Sequence, residues 1–332
     1  MLFRSYGGGL GKPGTFIEFA KSLVDHLHAW HIPDGRFPAT EYTRNIQSIS
    51  FHDSIVVVEK LARVQPWSEI RGEGIPSHLD PITPDSVTIF RKKLKLLGAG
   101  LPDHTDVGGL MSHPLHLQSY LGDRYEGLNW PDTGVTMIGW KRLTQLEHCV
   151  NEILDSNIPG DFIETGVWRG GACIFMRYLL NRRNVTDRIV WVADSFRGLP
   201  EPDKERFPQD HASDLHTYPI LAVGEEEVKM NFQRHNVPLE GVKFIKGWFK
   251  ESMPVAPVRK LAILRLDGDM YESTIEVLSY LYPKLVKGGY CIIDDYGAIP
   301  ACRQAVEDYR LSNGIRDEII SIDYTGVYWK KG

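Results

Sequence analysis

Cysteine is scarce in this chain and scattered where it occurs. The 332 residues hold four, Cys149, Cys173, Cys291 and Cys302, and no two stand in a C-x-x-C spacing. That excludes a disulfide-stapled scaffold and gives no support to a zinc site built on neighbouring thiols. Cys173 and Cys291 lie in apolar or small-residue runs, the setting of buried, reduced thiols. Long hydrophobic runs are missing too: none approaches the roughly 20 residues that span a bilayer. The N-terminal MLFRSYGGGLGKPG has no apolar signal core, so no secretory address is expected, and a cytoplasmic protein without a membrane partner is. Basic charge is in deficit, with 38 Lys and Arg against 43 Asp and Glu and a net charge of −5. No basic stripe marks a nucleic-acid binder. Repeats and low-complexity tracts are absent. What remains is an ordinary globular composition, 42% hydrophobic and 24% charged, and a length that accommodates one large domain or two smaller ones.

The first part of the chain differs in texture from the rest. GGGLGKPG imitates a phosphate loop, but Tyr6 stands where the first glycine belongs, Pro13 where the hydroxyl belongs, and no strand precedes it. It reads as a flexible or oligomer-contacting arm. GTFIEFAKSLVDHLHAW spaces Phe16, Phe19, Ala20, Leu23, Val24 and Leu27 along one helical face. SISFHDSIVVVEKLARV fits helix or strand equally. QPWSEIRGEGIPSHLDPITPDS is rich in Pro, Gly and Asp and reads as a linker. DSVTIFRKKLKLLGAG follows as a short helix, with Asp85 or Ser86 as its cap. Residues 1–84 are therefore expected to form a mainly helical extension. The apolar face of its first helix must be buried in an oligomer contact or in part of an acceptor pocket.

From about Met137 a different rhythm begins. MIGWKRLTQLEHCVNEILDSN aligns Leu143, Leu146, Val150, Ile153 and Leu154 on one helical face. Strands then alternate with helices: DFIET, GACIFMRYLLNRR, RIVWVAD, EEEVKMNFQRHN, GVKFIKG, KLAILRLD, ESTIEVLSYLYPKL, GGYCIIDD and PACRQAVEDYRLSN. DEIISID and GVYWKK close the chain as an antiparallel hairpin across Tyr324 and Thr325. Alternation of this kind predicts a doubly wound α/β sheet over residues 85–332. Such sheets bind ligands beyond the carboxyl ends of their strands.

Those ends carry the chemistry. The first strand runs into Glu164-Thr165-Gly166-Val167-Trp168-Arg169-Gly170-Gly171, a glycine-rich turn that lets backbone approach a ligand at a helix N-terminus. It lacks the dinucleotide spacing, and Glu164 would repel a pyrophosphate while suiting an ammonium group. The second strand ends in Asp194-Ser195, where related nucleotide folds hold a ribose diol. The two turns together describe an adenosine carrying a cationic amino-acid end and no phosphates, which is S-adenosylmethionine. LRLDGDMYEST ends the next strand but one in Asp267 and Asp269, and the fifth ends in Asp294-Asp295. Carboxylates converging at one mouth repel one another unless a cation joins them, and an all-oxygen set suits Mg²⁺. Helix capping is the alternative role for them.

Seven blocks in order carry a resemblance: TMIGWKRL, PGDFIETGVWRGGACIFMR, VWVADSFRGLPEP, KGWFKESMP, LRLDGDMYEST, LYPKLVKGGYCIIDDYG and PACRQAVEDYR. Together they resemble the macrocin O-methyltransferase family, enzymes that methylate sugar hydroxyls of macrolides and related natural products with S-adenosylmethionine and Mg²⁺. The resemblance covers roughly residues 85–332 and implies a class I methyltransferase, Rossmann-like sheet; a homo-oligomer, dimer or larger, is expected as well. It implies that Glu164 and Gly166 line the methionine end of the cofactor, with Thr165, Gly170 and Gly247 also cofactor-binding. Asp194 would hold the ribose, Ser195 would lie near the adenine, and Asp267 would touch both cofactor and metal. Asp267, Asp294 and Asp295 are the implied metal ligands. The segment around residues 199–224 is the implied lid over a small-molecule acceptor, with His211, His216 and Tyr218 as acceptor contacts. One departure stands out. Catechol-directed and some sugar-directed relatives carry Lys or His three residues after the first metal aspartate, where this chain has Met270. Asp269 is then the first candidate base and Asp267 the second, with His211 or His216 available if the lid folds inward. Two rival activities are weighed: methylation of a phenol or catechol, and a metal-dependent glycosyltransferase built on Asp-x-Asp, against which Glu164 argues.

Overall fold

The computed structural model describes residues 83–99, 101, 107–112 and 114–332. The extension expected over residues 1–84, with its GGGLGKPG arm, its first helix and the undecided SISFHDSIVVVEKLARV, lies outside the described residues except for Thr83 and Pro84, as does the linker up to residue 82.

The first described helix, α1 (Pro84–Leu96), corrects the expected cap. Thr83, not Asp85 or Ser86, is the capping residue. Its Oγ1 accepts from Ser86 N at 3.1 Å, and Ser86 Oγ accepts from Thr83 N at 2.8 Å. Pro84 explains the shift: it fits the first helical position, where no N–H is needed, and holds the residue before it extended. Three short helices follow, α2 (Val107–Ser112), α3 (Pro114–Leu121) and α4 (Asp123–Glu126), and then the long α5 (Gly139–Asp155). On α5 Leu143, Leu146, Val150 and Ile153 are buried, as their spacing requires.

Next come β1 (Asp161–Thr165), α6 (Gly171–Arg182), β2 (Val190–Asp194), α7 (Glu225–Arg234), β3 (Val242–Lys246), α8 (Phe249–Ser252), β4 (Leu261–Leu266), α9 (Tyr271–Leu281), β5 (Leu285–Ile293), α10 (Pro300–Ser312), β6 (Ile320–Ser321) and β7 (Val327–Lys330). The seven strands lie in the order β3-β2-β1-β4-β5-β7-β6. β1 to β5 pair in parallel, and β7 runs antiparallel to both β5 and β6. This is the class I methyltransferase sheet with its terminal hairpin. Alternation along the strands sends side chains to two cores. Phe162, Val190, Val192, Ile263 and Ile292 join α5, α6 and α7 on one face. Ile163, Trp191, Leu264, Cys291 and Ile293 join α9 and α10 on the other. Both faces are covered, which is why the strands read as nearly continuous apolar runs. The four cysteines are buried free thiols. Among the described residues no helix is long and apolar enough to cross a membrane.

The chain winds outward from β1 to β3, then returns to the centre for β4, so the order reverses between β1 and β4. A crevice opens at such a reversal. The hydrogen-bond ladder continues one residue past the strand ends. Gly166 N donates to Ala193 O, Asp267 N to Thr165 O, Asp294 N to Leu266 O and Gly247 N to Asp194 O. These bonds bring the turns after β1, β2, β3, β4 and β5 to one edge.

Candidate functional site

A cavity of about 320 Å³ occupies that edge. Gly166, Asp194, Ser195, Gly247, Asp267, Asp269, Asp294 and Asp295 all line it. Gly166 is required by its surroundings. Its φ is +82°, and a Cβ there would sit 1.7 Å from the Asp267 carbonyl oxygen. The ends of β1 and β4 therefore approach more closely than any side chain would allow.

Asp194 ties two turns together. Its Oδ2 accepts from Val167 N and its Oδ1 from Phe196 N, both at 2.7 Å. Burial raises its carboxyl above the ordinary range, opposed by those backbone bonds. Ser195 Oγ donates to Gly198 O at 2.7 Å and accepts from Arg197 N at 3.0 Å, closing the turn that starts the 199–224 segment.

The acidic end is denser. One carboxylate oxygen from each of Asp267, Asp294 and Asp295 can be chosen so that all three lie within 4.8 Å of one another. Asp295 Oδ2 also accepts from Asp269 N at 3.1 Å. Burial, reinforced by the negative neighbours, pushes Asp267 up to about 6 and Asp269 up to about 7, and raises Asp295 well above the carboxylate range. Such a cluster is short of positive charge, and its all-oxygen donors fit a hard divalent ion.

Two arginines supply part of that charge. Arg265, in the middle of the sheet on β4, donates to Glu164 Oε1 at 2.6 Å, to Asp267 Oδ2 at 2.8 Å and to Asp294 Oδ1. Arg142, on α5, donates to Asp294 Oδ2 and, at 3.0 Å, to Asp323 Oδ2 in the β6–β7 turn. Asp294 is thus gripped on both oxygens by guanidinium groups. Arg265 is fully sequestered, and the three carboxylates outweigh the burial that would otherwise discharge it. The signal for Arg265 was present in LAILRL, a charge inside an apolar strand. Arg142 carried no such signal.

The structure brings some expected residues together and leaves others outside. Glu164, Thr165 and Gly170 do not line the cavity. Strand alternation turns Glu164 into the sheet interior, where Arg265 and the Cys173 thiol, at 3.0 Å, occupy its carboxylate. Burial pushes that carboxyl up to about 7 in spite of Arg265. Thr165 Oγ1 donates to Arg265 O at 3.4 Å, and Gly170 is the left-handed residue that begins α6. His211, His216 and Tyr218 are exposed and likewise off the wall. Leu199, Pro200, Leu215 and Leu221 are the residues of the 199–224 segment that face the cavity. Tyr218 instead packs edge-on against Trp130, with ring centroids 5.8 Å apart. Trp168 Nε1 donates to Ile220 O at 2.9 Å and fastens the segment to the β1 turn. Met270 is buried, so it offers the cavity no group of its own. Sequence reasoning also missed the aromatic lining from Trp130, Trp168, Trp248, Phe249 and Tyr324, because exposed-looking aromatics in loops carry no period.

The chain has relatives among known proteins. The family model described as Macrocin-O-methyltransferase (TylF) matches residues 113–331. Demethyldecarbamoylnovobiocin O-methyltransferase of Streptomyces niveus is 50% identical over 209 residues, 63% of this chain and 80% of the relative. Mycinamicin III 3''-O-methyltransferase of Micromonospora griseorubida is 47% identical over 232 residues, 69% of this chain and 90% of the relative. The solved structure of the O-methyltransferase NovP superposes with a TM-score of 0.66 at 45% identity, covering 74% of this chain and 98% of that one.

Proposed function

The chain belongs to the macrocin O-methyltransferase family and is an S-adenosylmethionine-dependent O-methyltransferase, and from that premise we propose that it methylates a hydroxyl of a sugar carried by a glycosylated natural product with the aid of Mg²⁺. One observation carries the reading: the Asp267, Asp294 and Asp295 oxygens cluster within 4.8 Å on the same cavity wall as Gly166 and Asp194. Two of the relatives are named as O-methyltransferases of demethyldecarbamoylnovobiocin and of the 3'' position of mycinamicin III. A third, from Streptomyces olivaceus, is named for the 4' position of a rhamnosyl tetracenomycin. The glycosyltransferase alternative has no place in this family.

The residues divide the work as follows. Gly166 lets the β1 turn approach the methionine end of the cofactor, and Glu164 supports that turn from behind through Arg265. Asp194 holds the ribose, Ser195 lies near the adenine, and Gly247 also contacts the cofactor. S-adenosylmethionine, held by these residues, would supply the sulfonium methyl group that the acceptor oxygen takes up, with S-adenosylhomocysteine as the leaving group. Asp267, Asp294 and Asp295 would hold the metal, which supplies the positive charge that lowers an acceptor hydroxyl's pKa. Arg142 and Arg265 set the orientation of Asp294. Asp269 receives the hydroxyl proton on its carboxylate, with Asp267 as the alternative; both are half-buried and line the cavity, whereas Met270 cannot take a proton. Leu199, Pro200, Leu215 and Leu221 exclude water from the reacting atoms, so the protein's contribution is mainly orientation and charge placement. The enzyme works in the cytoplasm as a homo-oligomer.

The test is a transfer assay with S-adenosylmethionine and Mg²⁺ on a panel of sugar-bearing natural products and free catechols, read by mass spectrometry. A gain of one methylene on a sugar is the expected product. Transfer to catechols alone would overturn the acceptor class and favour the phenolic alternative.

A further inference from the structure

One carboxylate of the 199–224 segment behaves unlike its neighbours. Asp210 is 1% exposed, whereas Gln209 and His211 on either side are exposed. Its Oδ1 accepts from Tyr271 N at 2.7 Å and its Oδ2 from Glu272 N at 2.9 Å. These are the first two N–H groups of α9. That helix has no cap of its own: the capping position is Met270, and no side chain bonds there. A carboxylate 61 residues upstream does the work of a cap from outside. Helix N-termini favour negative charge and leave N–H groups unpaired, so the placement is stabilising from both sides. The docking is reinforced nearby. The Phe207 and Tyr271 rings lie 5.9 Å apart, and Tyr271 OH donates to Asp308 Oδ2 on α10 at 3.0 Å.

The turn that Asp210 pins follows directly on the acidic loop. Asp269 sits at φ +58°, an uncommon conformation for a residue with a side chain. Its N–H bonds Asp295 Oδ2, and Met270 N bonds Gly268 O. A conformation of that kind persists only where the surroundings fix it at both ends. Asp295 fixes one end, and the first turn of α9 fixes the other.

We propose that Asp210 is a positioning residue that latches the 199–224 lid onto the start of α9, so that lid docking and the placement of Asp269 are set together. The catalytic half of this rests on the methyltransferase reading; the latch itself does not. The lid contains Lys204 and Arg206, both exposed and open to trypsin.

The experiment uses the full chain saturated with S-adenosylhomocysteine. It follows tryptic cleavage after those two residues in the wild type, Asp210→Ala and Asp210→Asn, alongside steady-state kinetics. Loss of a cap predicts cleavage about tenfold faster in Asp210→Ala. It also predicts kcat lower by about tenfold with the cofactor KM within about threefold. Asp210→Asn keeps one oxygen acceptor and should fall between in both readouts. Cleavage unchanged from wild type overturns the latch, and faster cleavage with kcat unchanged overturns its coupling to Asp269. If Asp210→Ala shows no cooperative melt, the same criteria are applied to Asp210→Asn. A wild type that transfers no methyl group, with lid cleavage still accelerated by the substitutions, counts against the proposed function and leaves the latch standing.

Discussion

Arg265 on β4 reaches Glu164 on β1 at 2.6 Å, and both side chains are sealed inside the sheet at 2% and 3% exposure. The strands place the two directly opposite each other in register. The pair lies directly behind the acidic wall, since the same guanidinium also holds Asp267 and Asp294.

Removing that cation strips three carboxylates of their shared partner, Glu164 and Asp294 buried and Asp267 on the cavity wall. Arg265→Met should destabilise the fold by about 3–5 kcal/mol, the usual cost of stranding a buried partner. Arg265→Met combined with Glu164→Gln should recover part of the loss, because the innermost stranded charge is then gone. Urea denaturation of the single and double variants measures both. A single variant that loses less than about 1 kcal/mol would show that the guanidinium is not what balances these carboxylates.

The metal reading makes a claim that needs no turnover to check. Asp267→Asn and Asp295→Asn should each weaken Mg²⁺ or Mn²⁺ binding by about tenfold or more in calorimetry, while S-adenosylhomocysteine binding survives in Asp295→Asn. In the wild type, EDTA should stop methyl transfer and added Mg²⁺ should restore it. Full activity in EDTA would remove the ion from the mechanism.

Gly166 is a sharper structural test. With φ at +82° and an added Cβ 1.7 Å from the Asp267 carbonyl, Gly166→Ala forces β1 and β4 apart at their ends. The expected result is a loss of more than about 2 kcal/mol or failure to fold, with cofactor binding abolished in any folded fraction. A variant that binds S-adenosylhomocysteine normally would mean the close approach is not what shapes the cavity.

pH dependence of stability should expose His235, the buried residue that ends α7. Its pKa is pushed from 6.5 down to about 4 by burial first and then by Lys92 and Lys95. Lys92 Nζ donates to its carbonyl at 2.6 Å, and its ring Nδ1 has no partner. The neutral ring is favoured in the fold, so the unfolded chain takes up the proton first as pH falls. The contribution is therefore complete above pH 6.5 and lost as pH drops toward 4. His235→Gln should flatten the decline in denaturation midpoint between pH 6.5 and about pH 5, above most carboxylate titrations. An identical slope in wild type and variant would deny His235 this role.

How far the sequence alone reaches is visible residue by residue. Alternating strands and helices, the apolar face of α5 and the hairpin at the end are local patterns, and they sufficed for the sheet and its covered faces. Gly166, Asp194 and the aspartates after β4 and β5 were identifiable because strand ends in a parallel sheet share an edge. Thr83 was missed because a cap is set by Pro84 and by which hydroxyl meets which N–H, a matter of ångströms.

Glu164 shows where local pattern stops. Its position at a strand end suited an ammonium ligand, yet its side chain faces inward to Arg265, 101 residues away. His211 and His216 look chemically able, but the backbone turns them to solvent and buries Asp210 instead. By itself the order of residues determined the fold class, the acidic edge and the glycine turn after β1, since each depends on period and proximity along the chain. Only the tertiary structure decided which carboxylates face the cavity, which are balanced by Arg142 and Arg265, and which one holds the lid. Those choices depend on partners brought together from distant segments, whose charges and hydrogen bonds are satisfied only once the sheet has closed around them.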